Sequence, residues 1–307
     1  MTGVNPTKKW CIYQKERFPL LQYIPIVFMF GFSSISYSLH LHNPNASFSD
    51  VSIPQAITAI VTTLIWFMLM RIADEHKDFN EDHTYRPYRP VPRGLVTLKE
   101  LRVIGIVLIL IQVALSIWID WRLLGLLAIA YIWFTLMSLE FGIPKWLKAH
   151  PTLYLLSHMA IMPLIDLYAT SVEWLPRGGI LSFGIVLYMI SSYCDGTVVE
   201  VGRKLRAKEN EEYGVDTYTQ IWGPKLAMVA WMICITISGT STILAGFQVR
   251  VGVPIMTVLS LLYVYATYIA YRFAKNPTTK NANVFNIFPG IWMICMHFML
   301  GFLPFFV

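Results

Sequence analysis

Apolar positions dominate this chain in long uninterrupted blocks, each closed by a cluster of charge, proline or glycine. Stretches of about 18–22 apolar residues match the thickness of a bilayer's hydrocarbon core when coiled as α-helix. They fall at 19–38, 53–72, 101–118, 122–141, 152–170, 179–199, 225–247, 253–272 and 285–306. The pattern predicts an all-α membrane protein with nine transmembrane helices, because only intrahelical hydrogen bonding satisfies the backbone of such segments in lipid. No linker, low-complexity tract or clear repeat divides residues 1–307, so the chain reads as one domain. The first apolar block lacks a following small-residue cleavage site and reads as a retained helix.

Composition agrees with lipid as the solvent: 56% of the 307 residues are hydrophobic and 14% charged, with a mean hydropathy of +0.54. The net charge of +6 invites a nucleic-acid reading, but the positions of the cations argue against one. All but three of the 24 Lys and Arg residues lie at the amino terminus or in alternate loops; only Arg122, Arg177 and Arg250 lie in the others. By the positive-inside rule the amino terminus and the charged loops are cytosolic and the carboxyl terminus is external. Cys11, Cys194, Cys234 and Cys295 show no CxxC spacing and read as reduced structural thiols.

The two longest loops, 71–100 and 200–224, lie on the cytosolic side and mix acidic with basic residues. In the first, Asp74, Asp78 and Asp82 are four residues apart, a spacing that stacks three carboxylates on one helical face. Stacked like charges repel unless a cation offsets them, and hard oxygen ligands without accompanying Cys suit Mg²⁺ bridged to a substrate phosphate. Just beyond, Arg86-Pro87-Tyr88-Arg89-Pro90-Val91-Pro92-Arg93-Gly94 stops the helix and holds guanidinium groups in a stiff turn, suited to gripping a diphosphate.

The stretch from Asp74 to Gly94 resembles the first signature of the UbiA prenyltransferase superfamily, NxxxDxxxD followed by RPxPxG. Asp78 and Asp82 stand on the two aspartates and Arg89 to Gly94 on the second element; Asp74 replaces the usual Asn and keeps an oxygen ligand. The second signature, DxxxD, should follow the sixth span. Its tail is present in Glu209, Gly214, Thr217 and Gly223, but the DxxxD itself is replaced by Glu200 and Lys204, a carboxylate and an ammonium at i and i+4. Glu200 can supply a ligand to a second Mg²⁺ while Lys204, Arg203 and Lys208 supply charge to a diphosphate. Alternatively Glu200 and Lys204 form only a helical ion pair, worth about 0.3–0.5 kcal/mol.

The resemblance implies a UbiA-type bundle and a Mg²⁺-dependent prenyltransferase that moves a prenyl group from a prenyl diphosphate to a hydrophobic acceptor in the membrane. The metal would be held by Asp74, Asp78, Asp82 and Glu200; Asp78, Asp82, Glu200 and Lys204 would be catalytic. Arg71, Arg86, Arg89, Arg203, Lys208 and His158 are the candidate substrate contacts. His158 and Asp166 lie eight residues apart in the fifth span, where an ionisable group is costly enough to suggest a function or a helix-to-helix tie. Two other readings stay open: a terpene cyclase of the same superfamily, and a transporter using the carboxylates as a cation site. Against the transporter, the polar groups cluster at one mouth whereas a transport path needs them near the membrane midplane.

Overall fold

A computed structural model describes residues 5–212 and 216–307, and among them every regular element is helical. Fourteen α-helices follow in order: α1 (Pro6–Arg17), α2 (Leu20–His42), α3 (Ile53–Lys77), α4 (Phe79–Tyr85), α5 (Leu98–Ile119), α6 (Leu123–Ser138), α7 (Pro144–Lys148), α8 (Pro151–Met159), α9 (Ile161–Trp174), α10 (Phe183–Arg203), α11 (Tyr218–Gln248), α12 (Gly252–Lys275), α13 (Thr279–Asn283) and α14 (Phe288–Gly301).

Each predicted apolar block contains a helix, but the blocks are not equal. Among the described residues, seven helical segments are long and apolar enough to cross a membrane, not nine. Leu123–Ser138 is apolar but only 16 residues long, and α10 is interrupted by Asp195, Glu200 and Arg203. The predicted fifth span is two helices, α8 and α9, meeting at Ala160 just before Pro163. The sequence did not announce α1, a short and mostly polar helix whose few apolar residues, Trp10 to Tyr13, are consecutive and form no stripe.

Local chemistry sets the helix ends. Thr97 and Glu100 form a reciprocal capping box at the start of α5, and Ser182 and Thr217 cap α10 and α11 through their hydroxyls. Between α4 and α5, Gly94 takes φ +76, a left-handed conformation that lets the proline-rich turn reverse. The aliphatic residues of the spans face outward as well as inward: Leu110, Leu261 and Val264 are more than 60% exposed. Such a girdle suits acyl chains and not water.

Inside, the buried apolar side chains form two main clusters. One joins α10, α11, α12 and α14 around Trp231, Phe273 and Trp292. The other joins α2, α3, α5, α6 and α9 around Phe30, Trp66 and Tyr168. Helices α2, α9, α10 and α14 pack along the boundary, which is lined by small and hydroxylated residues. There a Cβ on Gly301 would lie 2.7 Å from the Ser33 Cα, and between α2 and α3 one on Gly31 would lie 2.7 Å from the Ile60 Cα. Close backbone approach of this kind is how helices associate where lipid removes the hydrophobic drive.

Candidate active site

Helix α3 carries the first acidic motif out of the bundle and then bends. Asp78 is its C-cap, with φ −89 and ψ 5, and α4 resumes at Phe79. The i+4 backbone bonds persist across the bend: the Asp78 N–H donates to the Asp74 carbonyl and the Asp82 N–H to the Asp78 carbonyl, both at 2.8 Å. The backbone spacing of the motif is therefore helical throughout, but its side chains diverge.

Asp74 and Asp78 line a cavity of about 440 Å³ at one end of the bundle. Asp82 does not; it is buried, and Arg89 grips both of its oxygens, Nη1 lying 2.7 Å from Oδ1 and 2.5 Å from Oδ2. Arg86 stands 3.5 Å from the same carboxylate. The expected column of three free carboxylates is thus two on the cavity wall and one folded into the arginine turn behind it. Among the described residues Asp78, in the cavity wall, has no ion-pair partner. Burial and the neighbouring Asp74 push its carboxyl up to about 6, with Asp82 and Glu81 adding to the rise and Lys77 opposing it.

The second motif reaches the same cavity from α10 and the loop after it. Arg203, Lys204, Arg206, Asp216, Thr217 and Tyr218 form that wall, facing Arg71, Lys77, Arg86, Arg89, Lys148 and Tyr154 across it. Glu200 stays behind the wall, because both of its oxygens are committed: Arg203 Nε lies 2.5 Å from Oε2 and Lys204 Nζ 2.9 Å from Oε1. The pair expected from the i,i+4 spacing is real, and Arg203 joins it. Lys204 also sits over the Tyr218 ring, 5.6 Å from its centroid. The loop is closed by the Tyr218 N–H donating to the Lys204 carbonyl at 3.2 Å, while the Thr217 hydroxyl donates to Glu211 at 2.7 Å.

Two predicted contacts lie elsewhere. Lys208 is exposed beyond the cavity wall, and neighbouring Glu209 accepts a 2.6 Å hydrogen bond from Thr279. Gly214 falls outside the described residues. His158 is buried behind Tyr154, on whose ring it stacks with 4.0 Å between centroids. Its Nε2 lies 3.5 Å from Lys77 Nζ, so it meets the cavity only through residues of the wall, Tyr154 and Lys77. Lys77 also hydrogen-bonds Tyr154 and pairs with Glu140 at 3.1 Å.

Arg17, Lys77, Lys148, Tyr154, Asp216 and Tyr218 were not singled out from the sequence. Arg17 arrives from α1, fixed by an ion pair with buried Glu75, and no motif spacing marks it. Lys77 was readable in principle, since it stands inside the first motif beside Asp78.

The donor set bears on the expected metal. Among the described residues no three His, Cys, Asp or Glu side chains come together to hold an ion alone. Mg²⁺, however, keeps several waters and is usually bound through one or two carboxylates plus substrate phosphates. Asp74, half exposed, and Asp78 fit that mode, with the surrounding cations matching the phosphate charge.

Comparison with known proteins agrees with this architecture. The sequence model of the UbiA prenyltransferase family matches residues 45–295. The chain belongs to this family. No curated protein matches the sequence. Among solved structures, a digeranylgeranylglyceryl phosphate synthase is similar with a TM-score of 0.67 at 14% identity, covering 97% of this chain and 99% of that one. An apo UbiA homolog from Aeropyrum pernix K1 gives 0.65 at 13% identity, covering 88% and 95%. A UbiA homolog from Archaeoglobus fulgidus bound to DMAPP and Mg²⁺ gives 0.54 at 13%, covering 94% and 99%. At these identities the likeness is one of fold. The chain is an integral, multi-pass helical membrane protein of this family, and the family's members are prenyltransferases.

Proposed function

We propose that this protein is a Mg²⁺-dependent intramembrane prenyltransferase that takes a prenyl diphosphate as donor and a hydrophobic acceptor. The observation that carries the reading is the shared cavity in which Asp74 and Asp78 face cations from both loops. The Archaeoglobus fulgidus relative, bound to DMAPP and Mg²⁺, supports the substrate class.

In this reading Arg71, Arg86, Arg203 and Lys204 bind and orient the diphosphate, with Lys77 and Lys148 completing the ring of charge. Glu200 is a positioning residue: it holds Arg203 and Lys204 at the wall and is not itself a metal ligand. Arg89 divides its charge between Asp82 and the cavity. Mg²⁺ held by Asp74 and Asp78 would supply Lewis-acid charge to the diphosphate. As the allylic C–O bond breaks, negative charge grows on the departing diphosphate, and guanidinium and ammonium groups already fixed around it stabilise that charge without reorganising. The acceptor then captures the allylic cation and gives up a proton. The cavity opens on the side where the basic residues collect, which by the positive-inside rule is the cytosol.

Purified protein incubated with prenyl diphosphates of graded length, Mg²⁺ and a panel of aromatic and lipid acceptors, followed by mass spectrometry, tests the reading. Prenylated acceptor is expected. Cyclic hydrocarbon with no acceptor consumed would assign a cyclase, and intact diphosphate under all conditions would refute both.

A further inference from the structure

Helices α11 and α12 run antiparallel and leave a groove of about 560 Å³ between them on the outer face of the bundle. The sequence accounts for it: Thr267, Ala270 and Ala274 recur on one face of α12 at i, i+3 and i+7, so that face carries only small side chains. Buried Met228 and Ala270 form the floor, while Val229, Ile233 and Tyr271, each more than half exposed, stand at the sides. The groove shares no residue with the diphosphate cavity, and the proposed reaction does not use it.

One end of the groove is charged and the rest is apolar. At the mouth Lys225 is exposed, and Lys275 stands over the ring of Tyr271, 5.9 Å from its centroid. Deeper in, the hydroxyls are already engaged: Thr267 donates to the Tyr263 carbonyl at 2.9 Å, and Thr236 donates to the Met232 carbonyl at 2.8 Å while meeting the Tyr263 hydroxyl at 3.0 Å. That last contact also fixes the register of the pair. The same number of residues toward the mouth on each helix brings Lys225 level with Ala274, beside Lys275. Among the described residues neither lysine has a carboxylate partner, and 217–275 contains no Asp or Glu. From Lys225 to Ile237, both in the groove wall, α11 rises about 18 Å, against about 15 Å for one leaflet's share of the hydrocarbon core. The groove therefore has the length of one leaflet's chains, with its cations at the level of the headgroups.

We propose that this groove seats one anionic phospholipid of the cytosolic leaflet, a hydrocarbon chain lying between α11 and α12 and the phosphate held by Lys225 and Lys275. Charge and length choose this occupant. A zwitterionic headgroup carries its own cation to the lysines, whereas an anionic one brings only the charge they lack, in the leaflet where such lipids collect. A second copy of the chain is a poor occupant: a symmetric contact sets the same patch against itself, and with no acid in 217–275 it would bring lysine to lysine.

The test is native mass spectrometry of the full chain in mild detergent, equilibrated with equimolar phosphatidylglycerol and phosphatidylcholine of identical chains. One phosphatidylglycerol should be retained per chain, preferred over phosphatidylcholine by roughly 25-fold, or about fivefold for each lysine beside an anionic group. Lys225→Gln and Lys275→Gln should each lower that preference about fivefold. Thr267→Trp, at an exposed position, fills the groove while leaving both lysines in place and should abolish retention. Lys145→Gln, which removes an exposed cation of α7 outside the groove, should change nothing. If Thr267→Trp does not fold, the three lysine variants decide. Equal retention of the two lipids, retention that Thr267→Trp leaves unmoved, or a loss in Lys145→Gln as large as in Lys225→Gln would overturn the proposal. A dimer that Thr267→Trp dissociates would give the groove to a second copy and equally overturn it.

Discussion

Asp82 and Asp78 stand four residues apart in one motif, yet the structure gives them opposite energetic roles, and conservative substitution separates these. Asp82 is 4% exposed and clasped by Arg89 through two short contacts, with Arg86 behind. Removing one partner of a buried pair typically costs about 3–5 kcal/mol, because the other is left with its charge uncompensated. Arg89 is 21% exposed and can recover some hydration, so Asp82→Asn should cost about 2–3 kcal/mol. At about 2–4 °C per kcal/mol for a large domain, that lowers the midpoint by roughly 4–12 °C. Arg89→Gln should cost a similar amount, and the double variant should lose less than the sum of the two, a coupling of at least about 1 kcal/mol. Thermal unfolding in detergent without metal or substrate measures all three. Unfolding of Asp82→Asn within about 1 °C of wild type, or strict additivity in the double variant, would refute the assignment of Asp82 to the arginine turn.

Asp78→Asn should abolish turnover while leaving the metal-free protein as stable or more stable at pH 7. A carboxyl whose folded pKa is raised to about 6 favours the folded state at low pH and loses that advantage as pH rises through 6. For the same reason the Mg²⁺ concentration giving half-maximal rate should be flat above pH 7 and climb about tenfold per unit below 6, as protons compete for the ligand; a flat profile down to pH 5 would refute Asp78 as a ligand. Glu200→Gln should raise KM for the prenyl diphosphate by releasing Arg203 and Lys204, with Mg²⁺ dependence unchanged, and Lys204→Ala should raise KM as well; a selective Mg²⁺ defect in Glu200→Gln would make it a ligand after all. A reporter fused after Val307 should be external, and cytosolic activity there would mean that the number of crossings is even.

The spans were legible because lipid imposes one demand everywhere, an apolar run of fixed length, and the runs carry it openly. Where another demand competes, the reading falters: α10 gives up apolar positions to Asp195 and Glu200, and the fifth block breaks where Pro163 interrupts helical bonding. The region of the site was legible too, since the four-residue spacing of Asp74, Asp78 and Asp82 survives as helical backbone. What spacing could not convey was which oxygens are free. That depends on partners distant in sequence or set in irregular turns, such as Arg89 for Asp82, and Lys148 on α7, which crosses to Glu81 at 2.9 Å. Asp166 was visible as an oddity, and it lies fully buried on α9.

Helix α1 is attached unevenly. Near its start Lys9 pairs with the partly exposed Glu100, and further along Glu16 meets Arg93 at 2.9 Å, again near the surface. At its far end Arg17 is tied to Glu75, whose side chain is only 1% exposed. Dissolved ions screen exposed charges over about 8–10 Å at physiological strength and act much less on buried ones. Concentrated salt therefore weakens the two surface pairs and leaves α1 held by the apolar packing of Trp10, Ile12 and Tyr13, while the guanidinium that α1 delivers to the cavity wall keeps its buried partner.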